Sequence, residues 1–355
     1  MSSAAYDKNQ NRIVNYDLLR ILAAFSVVML HSAAQFWYDL PVTGMEWKIV
    51  NAYDACFRFG VPVFVMLSGA IFLNPDRELD MKRLYRHNML RLVVIYLLWG
   101  AVYGLLDCWR FGFANLTWKQ IAKEMASGRY HMWYIPMLVG IYVLLPILRS
   151  WILRADKGNI RYFLMLFVIL QILRTTAACF VINSELLHFL SLGEIQMACS
   201  YLGYFVLGYY IAHVGIPQKY HKYFYVAAVP AALLNILISD IHTARDGSPN
   251  GAIYDSFGLF TFVIVMAIFL FFIERLKTCR WSVRSTAVIT EVSKATLGIY
   301  LMHIGVIEVL QLLGIHSAMI PVAAGVPLLA LLTFFLCYVF SALLRRIPLV
   351  GRYIC

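Results

Sequence analysis

DLLRILAAFSVVMLHSAAQFW, residues 17–37, decides the fold. The stretch has the length of ~20 residues that crosses a hydrocarbon core, and its only ionisable groups are Asp17, Arg20 and His31. Comparable stretches follow at 53–73, 88–108, 131–151, 161–181, 197–213, 222–240, 255–274, 291–311 and 318–344. Between them lie Pro, Gly and charge clusters such as NPDRELDMKR, RADKGN, VGIPQKYHK and DGSPNG, which punctuate helices. The reading predicts an all-α polytopic bundle of about ten transmembrane helices. The sixth stretch is short, and the seventh contains Pro230 and Asn235.

Composition excludes the soluble classes. Of 355 residues, 61% are hydrophobic and 14% charged, with a mean hydropathy of +0.72, far outside the range of soluble globular domains. The leading MSSAAYDKNQNR lacks the basic, apolar and small-residue succession of a cleavable signal, so the first stretch is expected to be a retained helix. The whole chain, 1–355, then reads as a single membrane domain, with 1–15 and 345–355 as short tails. No internal repeat or low-complexity segment stands out.

A net charge of +11 in a soluble protein would point to nucleic acid. Here the charges alternate with the loops instead, which argues against a nucleic-acid partner and for membrane lipids. Of the 30 Lys and Arg, eight (Lys48, Arg58, Arg110, Lys119, Lys123, Arg129, Arg174 and Arg245) fall on one side or within helices. The rest collect on the other side, so the positive-inside rule puts both termini in the cytoplasm. The seven cysteines show no Cys-x-x-Cys and no His/Cys spacing suited to zinc. They read as buried small hydrophobes, with no metal and no disulfide framework expected.

Arg20 and His31 stand eleven positions apart. At ~100° and ~1.5 Å per residue they share one face within about 20° and are separated by roughly 16–17 Å along the axis. Arg20 then lies at the cytoplasmic headgroups and His31 in the outer half of the membrane. Ionisable groups at such depth are costly and are functional candidates by default. The bland reading stands beside it: Arg20 snorkels and His31 satisfies a helix–helix hydrogen bond. Helix rise brings Arg58, Arg174, His131 with Trp133, and His303 to similar depth, a titratable layer suggestive of a polar cavity open to the outside. On the cytoplasmic side MKRLYRHNMLR carries Arg83 and Arg86, which share a helical face and suit one phosphate, or else are ordinary positive-inside charge. Asp17 is spaced to pair with Arg20. Trp37, Tyr38, Trp47, Trp118, Trp133 and Tyr134 suit either sugar stacking or an interfacial aromatic belt.

These residues carry a resemblance over nearly the whole chain. Arg20-x10-His31 resembles the first-helix signature of the acyltransferase-3 family of bacterial membrane O-acyltransferases, and Arg83-x-x-Arg86 its paired arginines. FGVPVFVMLSGAIF (59–72), HMWYIPMLVGIYVLLPIL (131–148) and SKATLGIYLMH (293–303) are similar to its second-, fourth- and late-helix segments. The pattern is most like the small single-domain O-acetyltransferases, such as that acting on enterobacterial common antigen. No fused hydrolase-type or racemase segment is evident.

The resemblance implies an enzyme of the bacterial inner membrane. It would move an acetyl group from cytoplasmic acetyl-CoA, a co-substrate, to a hydroxyl of a cell-surface glycan or lipid-linked saccharide. Arg20, Arg83 and Arg86 would hold the donor's phosphates, and His31 would be the general base. Arg58 or His303 would stabilise the oxyanion or hold the sugar, with Arg174, His131 and Trp133 on the acceptor side. What orients His31 is open, because Asp17 lies about 21 Å below it by helical rise. A secondary transporter or flippase for a polar or lipid-linked solute is the alternative from a different class, since embedded His, Arg and Asp also suit proton coupling. The absence of repeats and of Gly/Pro-broken helices at matching positions argues against it.

Overall fold

The computed structural model describes residues 13–111, 117–180, 195–347 and 351. It is a helical bundle, with no strand among these residues. Nine helices are long and apolar enough to cross a membrane among the described residues. The sixth stretch of the sequence reading is also helical, as Ile195–Tyr209 continuing in a π-helical turn to Val214.

The helices are α1 Val14–Ala33, α2 Met45–Phe57, α3 Gly60–Phe72, α4 Leu90–Phe111, α5 Trp118–Ser127, α6 Tyr134–Arg154, α7 Lys157–Phe167, α8 Arg174–Ala178, α9 Ile195–Tyr209, α10 Gln218–Asp246, α11 Leu259–Leu270, α12 Val283–Leu312 and α13 Val322–Leu344. α1 sits at the centre, against α2, α3, α12 and α13. Its inward face is closed by Leu19, Ala23, Ala24 and Val28, none more than 1% exposed. The small residues let neighbouring helices approach closely, the device membrane bundles use where no hydrophobic force separates helix from lipid.

Three sequence expectations need correction. The helix read as 53–73 begins at Met45 and breaks at Arg58 and Phe59, because Pro62 has no N–H to return to the Arg58 carbonyl. Arg58 therefore lies at a break midway along the Met45–Phe72 span rather than near the start of a helix. The helix read as 88–108 is preceded by a short turn at Met81–Arg83 and a π-helical segment, Leu84–Met89, so Arg83 and Arg86 do not lie on one regular α-helix. α5, finally, occupies what read as a loop. The other ends move by several residues, most at α10 and α12, which run to 29 and 30 residues.

Two glycines fix the crossing of α3 and α9. A Cβ on Gly69 would sit 1.7 Å from the Phe205 carbonyl oxygen, and one on Gly208 would sit 1.9 Å from that of Met66. Both obstacles are backbone, so no rotamer change relieves them. Gly69→Val is expected to cost at least the 1–3 kcal/mol typical of overpacking. Its signature is a lowered melting temperature in detergent, while Gly140→Ala, with nothing within 4 Å of its Cβ, stays unchanged.

Candidate functional site: a histidine cluster above a cationic cavity

Three histidines from three elements meet in the bundle. His31 comes from the last turn of α1, His303 from the middle of α12, and His131 from the 3-10 turn Tyr130–Trp133 that leads into α6. The His31 ring centroid is 5.0 Å from that of His303 and 6.4 Å from that of His131, and His131 and His303 are 4.9 Å apart. His303 is fully buried, His131 is 2% exposed and His31 is half-buried. Tyr130, 64% exposed, stands edge-on to His31 at 5.7 Å. His303 Nδ1 lies 2.6 Å from the Tyr300 carbonyl oxygen, and the Tyr300 hydroxyl donates to the His131 carbonyl. Among the described residues no group of three His, Cys, Asp or Glu side chains is placed to hold a metal.

The segment that delivers Tyr130 and His131 is held by Arg129. This guanidinium donates to Asp107 at 2.6 Å and to Glu308, and lies over the Tyr103 ring at 5.7 Å. Asp107 and Glu308 lie about one turn before the ends of α4 and α12, so the ion pairs tie three elements beside the cluster. Sequence reading missed both acids, although the rule that singled out His31 applies equally to a carboxylate in an apolar helix.

Arg58 is held by Asp54, one helical turn earlier, through two bonds of 2.9 and 2.6 Å. Asp54 is 1% exposed, and the pairing offsets the cost of burying each charge. The guanidinium also lies over the Tyr254 ring at 5.1 Å, and Tyr254 donates to Asn51 Oδ1 at 3.1 Å.

At the end of the bundle that carries the paired arginines, a cavity of about 900 Å³ is lined by Arg83, Arg86, Lys82, Arg91, Asp80, Tyr142 and Phe72, among others. The Asp80 carboxylate accepts from the Lys82 and Arg83 amides at 2.9 and 3.2 Å, starting the short turn that carries them. Arg149 binds the preceding loop, donating to the Phe72 and Asn74 carbonyls at 2.8 and 2.9 Å and to that of Arg77. Arg83 and Arg86 thus share a cavity without the helical face expected of them.

Arg20 is not part of that lining. It donates to Asp17 at 3.1 Å and to Ser293 Oγ at 3.2 Å, and Ser293 donates to Asp17 at 2.7 Å. α1 and α12 therefore meet at two rungs, Arg20 with Ser293 and His31 with His303, ten to eleven residues apart on each helix. Buried tyrosines connect the levels. Tyr142, which lines the cavity, and Tyr134 stand eight residues apart on α6. The Tyr134 ring lies 5.7 Å from Tyr300, which adjoins His303 at 6.0 Å.

The remaining candidates stand apart. Arg174 bonds within its own turn, to the Leu170 carbonyl at 3.2 Å. Trp133 is 45% exposed and packs on Tyr201 at 5.4 Å. The aromatic belt is also smaller than expected. Trp37, Trp47 and Tyr134 are at least nine-tenths buried, with Trp47 donating to the Trp37 carbonyl at 3.3 Å. Cysteines 56, 108 and 179 are half-buried and Cys337 buried, but Cys279 is exposed. Cys199 and Cys355 lie outside what is described of side chains.

The long apolar helices define a multi-pass membrane protein, with a cluster of polar residues inside the bundle. The family model described as an acyltransferase domain, that of the acyltransferase-3 family, matches residues 13–345, and the chain belongs to this family. No curated protein and no solved structure matches it.

Proposed function

We propose that the protein transfers an acetyl group from cytoplasmic acetyl-CoA to a hydroxyl of a cell-surface glycan or its lipid-linked precursor, in a bacterial inner membrane. The observation that carries this reading is one line through the bundle. It runs from the cationic cavity at Arg83 and Arg86, past Tyr142, Arg20 and Tyr134, to Tyr300 and the three histidines. Arginine forks suit the phosphates of the donor. The cavity volume lies within the ~300–1,000 Å³ usual for small-molecule sites. An extended pantetheine arm has roughly the 16–17 Å span that helix rise puts between Arg20 and His31.

At the upper end His31 acts as general base. Its unprotonated nitrogen takes the proton of the acceptor hydroxyl as that oxygen bonds to the thioester carbonyl carbon. The carbonyl oxygen carries the negative charge, which Arg58 is positioned to stabilise. When the tetrahedral species collapses, the C–S bond breaks and the CoA sulfur takes the proton from the imidazolium, restoring neutral His31.

Purified protein given acetyl-CoA and an envelope glycan fraction is expected to release free CoA in step with acetylation of the glycan. Acetyl-CoA binding without CoA release under any acceptor would sink the reading. The break between α2 and α3 beside the site keeps the transporter alternative in view, and solute flux into vesicles without CoA release is its distinguishing result.

A further inference from the structure

We infer that His303 is a positioning residue: it fixes which nitrogen of His31 carries the proton, and so which nitrogen is the base. The inference rests on His31 being the base.

A carbonyl oxygen can only accept. The 2.6 Å contact between His303 Nδ1 and the Tyr300 carbonyl therefore requires the hydrogen on Nδ1. In a neutral ring Nε2 is then a bare lone pair. That atom is buried and has no hydrogen-bond partner in the protein, on a side chain with no solvent exposure. An acceptor left in this state costs about 1–3 kcal/mol unless a donor is presented to it. The tautomer is thus set by the α12 backbone, one turn below the ring, and does not depend on substrate.

Two rings are within reach as donors: His131, its centroid 4.9 Å away and both its nitrogens buried without a partner, and His31, the one whose tautomer the proposed chemistry depends on. The His31 ring centroid is 5.0 Å from that of His303, with the planes tilted by 41°. Facing nitrogens at that separation come within about 3 Å, a hydrogen-bond distance. The torsion that aligns them, χ2 of histidine, is broad and soft. With one His31 nitrogen donating its N–H to His303 Nε2, the other must carry the lone pair. That second nitrogen is then the one left for the acceptor hydroxyl, on a ring that Tyr130 flanks at 5.7 Å.

The arrangement resembles the role of the carboxylate in a Ser-His-Asp triad, in which the partner holds the imidazole tautomer and orientation. Here the partner is neutral, and its own orientation is held by Tyr300. Tyr300 is held in turn, because its hydroxyl donates to the His131 carbonyl. During transfer no bond to His303 is made or broken. The proton gained from the acceptor hydroxyl resides on the second nitrogen of His31 and leaves from there to the CoA sulfur.

Three variants separate this role from simple packing. His303→Gln keeps an acceptor where Nε2 stands, His303→Asn places its amide at the Nδ1 level, and His303→Leu removes both. The expected result is a kcat lowered about 10- to 100-fold in His303→Leu and His303→Asn, the usual cost of losing an outer partner of a functional histidine. The apparent KM for acetyl-CoA stays within about twofold of wild type, because ground-state donor binding is not involved. His303→Gln is expected to recover most of kcat.

Acetyl-CoA binding by calorimetry verifies that each variant is folded. Wild-type kcat in His303→Leu, or His303→Gln no better than His303→Asn while donor binding is intact, overturns the inference. If His303→Leu does not fold, the Gln and Asn comparison decides alone. Retained activity in His31→Ala would instead count against the base assignment itself.

Discussion

Replacing His31 with alanine is expected to lower acetyl transfer by about 10²–10⁴-fold, the contribution usual for a positioned general base. Donor binding should persist, because the cationic cavity is lined by other elements and lies at the opposite end of the tyrosine line. The loss belongs to kcat and kcat/KM together, as for an interaction made only in the transition state. His303 is not a ready substitute, since its side chain has no solvent exposure and its Nδ1 is committed to the Tyr300 carbonyl. Residual turnover should therefore reflect positioning alone. The measurement is incorporation of labelled acetyl into envelope glycan by membranes with matched protein levels. Full activity in the alanine variant would remove His31 from the chemistry and leave its ring contacts as packing.

How legible was this site beforehand? The Arg20-to-His31 spacing needed only a continuous helix, and α1 is continuous from Val14 to Ala33. Depth reckoning brought His131 and His303 to the same layer because they sit on elements whose outer or middle positions could be counted from charge clusters. Arg58 was misplaced for a local reason: Pro62 interrupts the helix four residues later, and counting along an ideal rod cannot register a break. Arg174 shares the depth but not the cluster, since depth gives the level of a side chain and not the direction it points. Asp107 and Glu308 were passed over although they carry the charge that holds Arg129. The partner proposed for His31 was not legible, because it lies eleven helices further along the chain and a tautomer depends on a backbone carbonyl that no residue type announces. Burial of Trp37 and Trp47 has the same origin, as composition alone does not distinguish a belt from a core.

The paired arginines carry the second large effect. The double variant Arg83→Ala/Arg86→Ala is expected to weaken acetyl-CoA binding by about 100-fold. Two charge-assisted bonds at about 1.5–3 kcal/mol each set the upper range. Both side chains are exposed, so water screens them and the lower end of that range applies. Lys82 and Arg91 still line the cavity, which leaves an attractive but less specific field for phosphate. Three consequences separate a donor site from ordinary positive-inside charge. The apparent KM for acetyl-CoA rises while kcat at saturating donor is preserved. Added salt weakens wild-type binding more than that of the variant, because fewer charges remain to be screened. And Arg154→Ala, at an exposed arginine outside this cavity, changes neither. An unchanged donor KM in the double variant would return Arg83 and Arg86 to a topogenic role and detach the cavity from the chemistry. Failure of well-folded wild type to bind acetyl-CoA at all would go further, because the line from cavity to histidines would then have no donor to carry and a solute pathway would be the better account of the same polar residues.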